Sequence, residues 1–175
     1  DTSMPSIPDE ALSCSVRIAD ASELPAVARA LAVALPERAF VTLEGDLGAG
    51  KTTFVKAIAA AVGIDPAEVV SPTFGLIHLH DLPTGGPTAR LVHADMYRLG
   101  AAADLHETGW DDAIAGPCWV FVEWPRRIAA ALPANRLDLT IDVDSETGRT
   151  IVARATLPVY GPAISSLKTC GSRSR

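Results

Sequence analysis

Cysteine is scarce and scattered in this chain. Cys14, Cys118 and Cys170 lie far apart with no CxxC pair, which argues against a disulfide framework or a zinc knuckle and leaves three reduced thiols. Long apolar runs are missing as well. No stretch approaches the roughly 18 residues that cross a bilayer, and the N-terminus lacks the basic-then-apolar order of a signal peptide. A cytoplasmic protein without membrane contact is therefore expected. Basic residues are outnumbered, 15 Lys and Arg against 21 Asp and Glu, giving a net charge of -6 and a pI near 5.1. That balance opposes the basic footprint of a protein that grips nucleic acid by itself, so any RNA would be held by something else.

What is present suffices for one core. A chain of 175 residues with 48% hydrophobic content points to a single domain, expected over residues 14–160. Residues 1–13 and 161–175 lack apolar periodicity and read as flexible tails. Apolar residues at Leu24, Val27, Ala28, Leu31 and Leu35 predict a helix over 22–35, with Pro25 in its first turn and Asp20 or Ser22 as cap. Residues 14–18, 40–43 and 118–122 read as strands, and 52–62 as a helix stopped by Gly63. The stretch 82–88, rich in Gly and Pro, predicts a hairpin between strands 75–80 and 89–94. One or two short helices are expected over 104–114 and another over 125–132. Alternating residues over 136–143 and 149–157 predict a second hairpin, placed at a sheet edge. The sum is an α/β sandwich around a mixed sheet, parallel near the Gly-rich turn and antiparallel at the hairpins, of the P-loop NTPase kind.

Gly45, Asp46, Leu47, Gly48, Ala49, Gly50, Lys51 and Thr52 fit GxxxxGK[ST] between a predicted strand and a predicted helix, the context that pattern requires. Glycine lets successive backbone N–H groups converge on phosphate oxygens while the following helix aims its positive end at them. Lys51 would reach the β and γ phosphates of ATP or ADP, and the Thr52 hydroxyl would ligate Mg2+, with Thr53 one position further along the helix. Such a loop needs a second magnesium anchor at the end of a neighbouring buried strand, and both Asp95 and Glu123 qualify. Either acid alone serves equally well as a helix cap; two at separate strand ends favour metal and water positioning. His93, a lone strand histidine, reads as structural.

In order and spacing, the stretch from Gly45 to Thr53, Ser71-Pro-Thr-Phe74, His93-Ala-Asp-Met-Tyr-Arg-Leu99 and Glu123-Trp-Pro125 resemble the TsaE family, also called the YjeE family. These are small ATPases required for threonylcarbamoyladenosine modification of tRNA, and the resemblance spans about residues 14–157. It implies that Lys51 and Thr52 bind phosphate and magnesium with support from Thr53, that Glu123 completes the metal site and that Asp95 is needed for hydrolysis. It also implies that Ser71, Pro72, Thr73 and Phe74 form a switch segment, that Trp124 flanks the site where a partner docks, and that TsaD and TsaB are the partners. On residue type alone, the Ser-Pro-Thr stretch is equally a turn and Trp124 a core aromatic. His78-Leu-His80 departs from the family, which often places a Tyr there.

Two other readings share the loop. A small-molecule kinase would use Arg126 and Arg127 as phosphate clamps but needs an acceptor pocket and lid. A guanine-nucleotide switch would use Asn135 and Asp138, one residue short of NKxD, but no DxxG is present.

Overall fold

The strands that carry the centre of the sheet are almost wholly apolar. β2 (Ala39–Glu44) and β5 (Trp119–Glu123) are buried on both faces, the condition that parallel strands with cover on each side impose. The structure, a computed structural model, describes residues 12–70 and 76–172. Its seven strands run in the order β1-β7-β6-β2-β5-β4-β3, with β1 (Ser13–Ile18), β3 (Ile77–Asp81), β4 (Arg90–Asp95), β6 (Leu137–Val143) and β7 (Arg149–Ala155) completing the sheet. β4, β5, β2 and β6 are mutually parallel, whereas β3 on β4, β7 on β6 and β1 on β7 are antiparallel. The mixed α/β architecture expected from the sequence is the one found.

Three helices cover one face: α1 (Leu24–Ala34), α2 (Lys51–Ala61) and α4 (Gly161–Ser172). They bury Leu31, Val55, Ile58 and Leu167 against Val41, Phe121, Leu139 and Ile151 of the sheet, each large side chain contributing about 1.5–3 kcal/mol when fully removed from water. The other face is closed by 3-10 segments at Ala102–Thr108 and Pro125–Ala131 and by the single turn α3 (Trp110–Ala113), around Phe40, Val92, Val120, Met96 and Trp110. Asp20 starts the first helical stretch as its composition implies, its carboxylate accepting the Ser22 N–H at 2.7 Å.

Two expectations are corrected. The segment 161–175, read as a flexible tail, is helical from Gly161 to Ser172 and packs on β1 and α1. Ala163, Ile164 and Leu167 are buried, and the Ser166 hydroxyl donates to the Ala30 carbonyl at 2.7 Å. Gly, Pro and Ser give this helix low intrinsic propensity, so its stability comes from tertiary packing. The β6–β7 hairpin is likewise not at an edge: β6 lies beside β2, and β1 and β3 form the sheet's rims. Its alternating pattern looked marginal because Asp138 and Thr140 face the less covered side, where Thr42 Oγ1 donates to Asp138 Oδ1 at 2.5 Å.

Candidate functional site

At the carboxyl ends of the parallel strands, β2 passes through residues 45–50 directly into α2. Two glycines show why this turn has the composition it has. A Cβ on Gly45 would sit 2.7 Å from the Ile141 carbonyl oxygen, so no larger residue fits where the loop crosses β6. Gly48 is the opposite case: a Cβ there would meet nothing within 4 Å, and it is the φ of +81° that calls for glycine. The N-cap of α2 is Gly50, which offers no side-chain acceptor, so the first backbone donors of this 11-residue helix have no side-chain cap.

Lys51, the first residue of α2, is buried and folds back on the loop. Its Nζ donates to the carbonyls of Gly45 at 2.6 Å and Asp46 at 2.9 Å and lies 4.4 Å above the Trp124 ring. Burial pulls its pKa below the ordinary lysine value, opposed by the charges of Glu123, Asp95 and Asp46. One residue on, the Thr52 hydroxyl sits 3.0 Å from Oε1 and 2.9 Å from Oε2 of Glu123. Thr53 lines a hollow of about 200 Å³ beside the loop with Gly48, Ile141 and Arg149.

Both strand-end acids arrive where the sequence predicts. Asp95 and Glu123 are register partners on adjacent parallel strands, each the last residue of its strand. Asp95 accepts the backbone N–H of Tyr97 at 3.0 Å. Its carboxyl is pushed up from the usual carboxylate range, chiefly by burial, with the Tyr97 N–H pulling the other way and Glu123 adding to the rise. Trp124 follows in left-handed backbone, φ 56° and ψ 54°, and its ring packs 5.0 Å from that of Tyr97. It thus borders the loop through Lys51 and also packs, half-buried, against the core of the second face. Ser71, Pro72, Thr73 and Phe74 lie outside the described residues, whereas Leu76 accepts the Asp95 N–H at 2.9 Å.

Of two further residues at the site, sequence reasoning reads His93 as structural and does not single out Arg149. His93 is fully buried with Nε2 2.6 Å from Glu123 Oε2; the available signal was its place two residues before Asp95, on the same strand face. Arg149 donates from Nε to the Ala49 carbonyl at 3.0 Å and from a terminal nitrogen to carbonyls of Ser145 and Gly148 at 3.1 and 2.8 Å, tying the β6–β7 turn to the loop. No local pattern announces a contact between residues 100 apart.

The rival readings find little here. Asp138 is engaged by Thr42 and, at 2.9 Å, by Arg136, which occupies the carboxylate a guanine reader would need free. Arg126 is exposed and pairs with Glu44 at 3.0 Å, at the rim of a cleft of about 580 Å³ on the loop's other side. Between β5 and β6 stands the 7-residue 3-10 segment alone, as expected, with no further helix to serve as a lid.

Fold and site together define an α/β protein with a glycine-rich strand–loop–helix turn and paired acids at the ends of its parallel strands. Residues 18–151 match the family described as "Threonylcarbamoyl adenosine biosynthesis protein TsaE", and the chain belongs to that family. It is 35% identical over 142 residues to the tRNA threonylcarbamoyladenosine biosynthesis protein TsaE of Bacillus subtilis, covering 79% of this chain and 84% of that one. The protein of the same description from Treponema pallidum is 36% identical over 117 residues, 67% of this chain and 82% of the relative. Among solved structures, the crystal structure of Bacillus subtilis YdiB superimposes with a TM-score of 0.71 at 30% identity, covering 90% of this chain and 95% of the other. Among the described residues no helix is long and apolar enough to cross a membrane.

Proposed function

We propose that this chain binds ATP with Mg2+ and hydrolyses it as a component of cytoplasmic tRNA threonylcarbamoyladenosine biosynthesis, acting with TsaD and TsaB and meeting tRNA through that complex. One observation carries the reading: the Lys51 ammonium folds back on the glycine loop, and one residue on the Thr52 hydroxyl meets the Glu123 carboxylate. Family membership supports the tRNA-modification half. The net charge of -6 supports an indirect hold on tRNA.

The Lys51 ammonium donates to uncharged loop carbonyls, partners it exchanges for negatively charged phosphate oxygens. The uncapped N–H groups of α2 add donors aimed at the same anion. Thr52 and Glu123 supply hard oxygen ligands, and among the described residues no group of three or more His, Cys, Asp or Glu side chains gathers into an all-protein cage. That donor set fits Mg2+, which takes one or two protein ligands and completes its shell with phosphate and water. Bound there, it offsets charge on the transferring phosphoryl group. Asp95, beside Glu123 and with its pKa raised, orients or deprotonates the attacking water.

Hydrolysis by the isolated chain is expected to be slow, since Arg149 is already engaged with loop and turn carbonyls rather than held free for the phosphates. Restoring threonylcarbamoyladenosine in tRNA of cells depleted of TsaE, with Lys51→Ala as the inactive control, tests the whole reading. Equal ATPase rates with and without TsaB and TsaD would count against the partnership.

A further inference from the structure

Glu123 is held from two sides. Oε2 lies 2.6 Å from His93 Nε2 and 2.9 Å from the Thr52 hydroxyl, whereas Oε1 has the Thr52 contact at 3.0 Å. Thr52 has one proton and can donate to one of these oxygens at a time. An ionised carboxylate only accepts, so the His93 contact is Nε2–H donating to Oε2. His93 is 0% exposed and Glu123 3%, which shields the contact between Nε2 and Oε2 from bulk water. The strand register explains the reach: His93 stands opposite Phe121, and Asp95 opposite Glu123, so the imidazole extends across to the carboxylate one diagonal step along the neighbouring strand.

The other ring nitrogen sharpens the point. His93 Nδ1 is buried and has no hydrogen-bond partner among the described residues. A histidine kept for packing alone would satisfy both nitrogens or give way to an apolar residue, because an unpaired buried nitrogen costs stability. Among the described residues Nδ1 goes without a partner while Nε2 keeps its short contact.

We infer that His93 is a positioning residue: by occupying Oε2 it fixes the Glu123 carboxylate in one orientation and leaves Oε1 to face the metal-and-water shell beside Thr52. The inference rests on the reading of Glu123 as the metal-side acid. Partners that orient a ligating carboxylate typically change metal affinity by about 10–100-fold when removed. His93 therefore acts on the metal-dependent part of nucleotide binding and leaves the metal-free part alone.

The test compares ADP affinity with Mg2+ and with EDTA, by calorimetry, for the full chain and for His93→Ala, His93→Gln and Glu123→Gln. The wild-type chain is expected to gain affinity from Mg2+. His93→Ala is expected to lose about tenfold or more of that gain while its affinity in EDTA stays within about twofold, and Glu123→Gln to lose it as well. His93→Gln, whose amide N–H can reach Oε2, is expected to recover most of it. A full magnesium gain in His93→Ala overturns the assignment of His93 but leaves that of Glu123 standing. No gain in the wild-type chain overturns both. Should His93→Ala not fold, imidazole ¹H–¹⁵N NMR on the wild-type chain decides. A downfield His93 Nε2–H resonance, lost in Glu123→Gln and kept on addition of Mg2+ and ADP, is expected; its disappearance on that addition overturns the proposal.

Discussion

Asp95 and Glu123 end adjacent parallel strands in register, yet they are held by different kinds of group. Glu123 receives the Thr52 hydroxyl and the His93 ring; Asp95 receives the backbone N–H of Tyr97. The first is tied to the loop's helix and the second is poised beside it. Asp95→Ala should therefore lower turnover by about 100-fold or more, the usual worth of a positioned acid or base, and leave ATP affinity within a few-fold. Single-turnover hydrolysis alongside equilibrium binding separates the two effects, and unchanged turnover would remove Asp95 from the chemistry.

The same carboxyl sets a pH dependence of stability. Burial raises its folded-state pKa above the unfolded value of about 3.9. Its stabilising contribution is thus full below the unfolded value and lost as pH rises through the folded one, so at neutral pH the charged form is a burden. Asp95→Asn keeps an acceptor for Tyr97 and carries no charge. It should stabilise the nucleotide-free chain at pH 7 by under about 1 kcal/mol, a gain that fades as pH falls towards 4. Urea midpoints across that range measure it; a pH-independent difference would mean that burial of the charge is not its origin.

Elements legible in the sequence are those fixed by short spacings. The glycine loop, the apolar strands before Asp95 and Glu123, and the helix from Leu24 to Ala34 each follow from residues within one turn or one strand of each other. What stayed hidden depends on distant partners. α4 is helical because Leu167 and Ile164 find the α1–β1 surface, not because Gly161 or Ser165 favours a helix. His93 meets Glu123 across 30 residues and Arg149 meets Ala49 across 100, through a strand order no local pattern encodes. The left-handed backbone of Trp124 is invisible for the same reason: nothing in its residue type announces it.

Two glycines in one loop should fail differently. Gly45→Ala drives a methyl to 2.7 Å from the backbone oxygen of Ile141, which cannot step aside, and should cost about 1–3 kcal/mol of folding stability. Gly48→Ala puts its methyl into open space and carries the strain of its φ of +81°, about 1–2 kcal/mol. If that space seats phosphate, Gly48→Ala should fold and yet bind ATP at least about tenfold more weakly. Thermal melts and ATP titrations of both variants distinguish the cases. Normal ATP affinity in Gly48→Ala would place the phosphates elsewhere.

Trp124 is the one non-glycine residue with positive φ among the described residues, and for a side chain of this size that backbone costs about 1–2 kcal/mol. The ring returns part of it, with the Lys51 ammonium 4.4 Å from its centroid and Tyr97 packed at 5.0 Å. Ring and backbone can be separated by two substitutions. Trp124→Ala loses the ring and keeps the strain, whereas Trp124→Gly loses both, so the glycine variant should be the more stable by about 1 kcal/mol. Trp124→Phe keeps a π face for Lys51 and should fall nearest the wild-type chain in ATP affinity. Chemical denaturation ranks the first pair and ATP titration the third variant. An alanine variant as stable as the glycine one would show that Trp124 is not strained, and its backbone would then owe nothing to the contacts its ring makes with Lys51 and Tyr97.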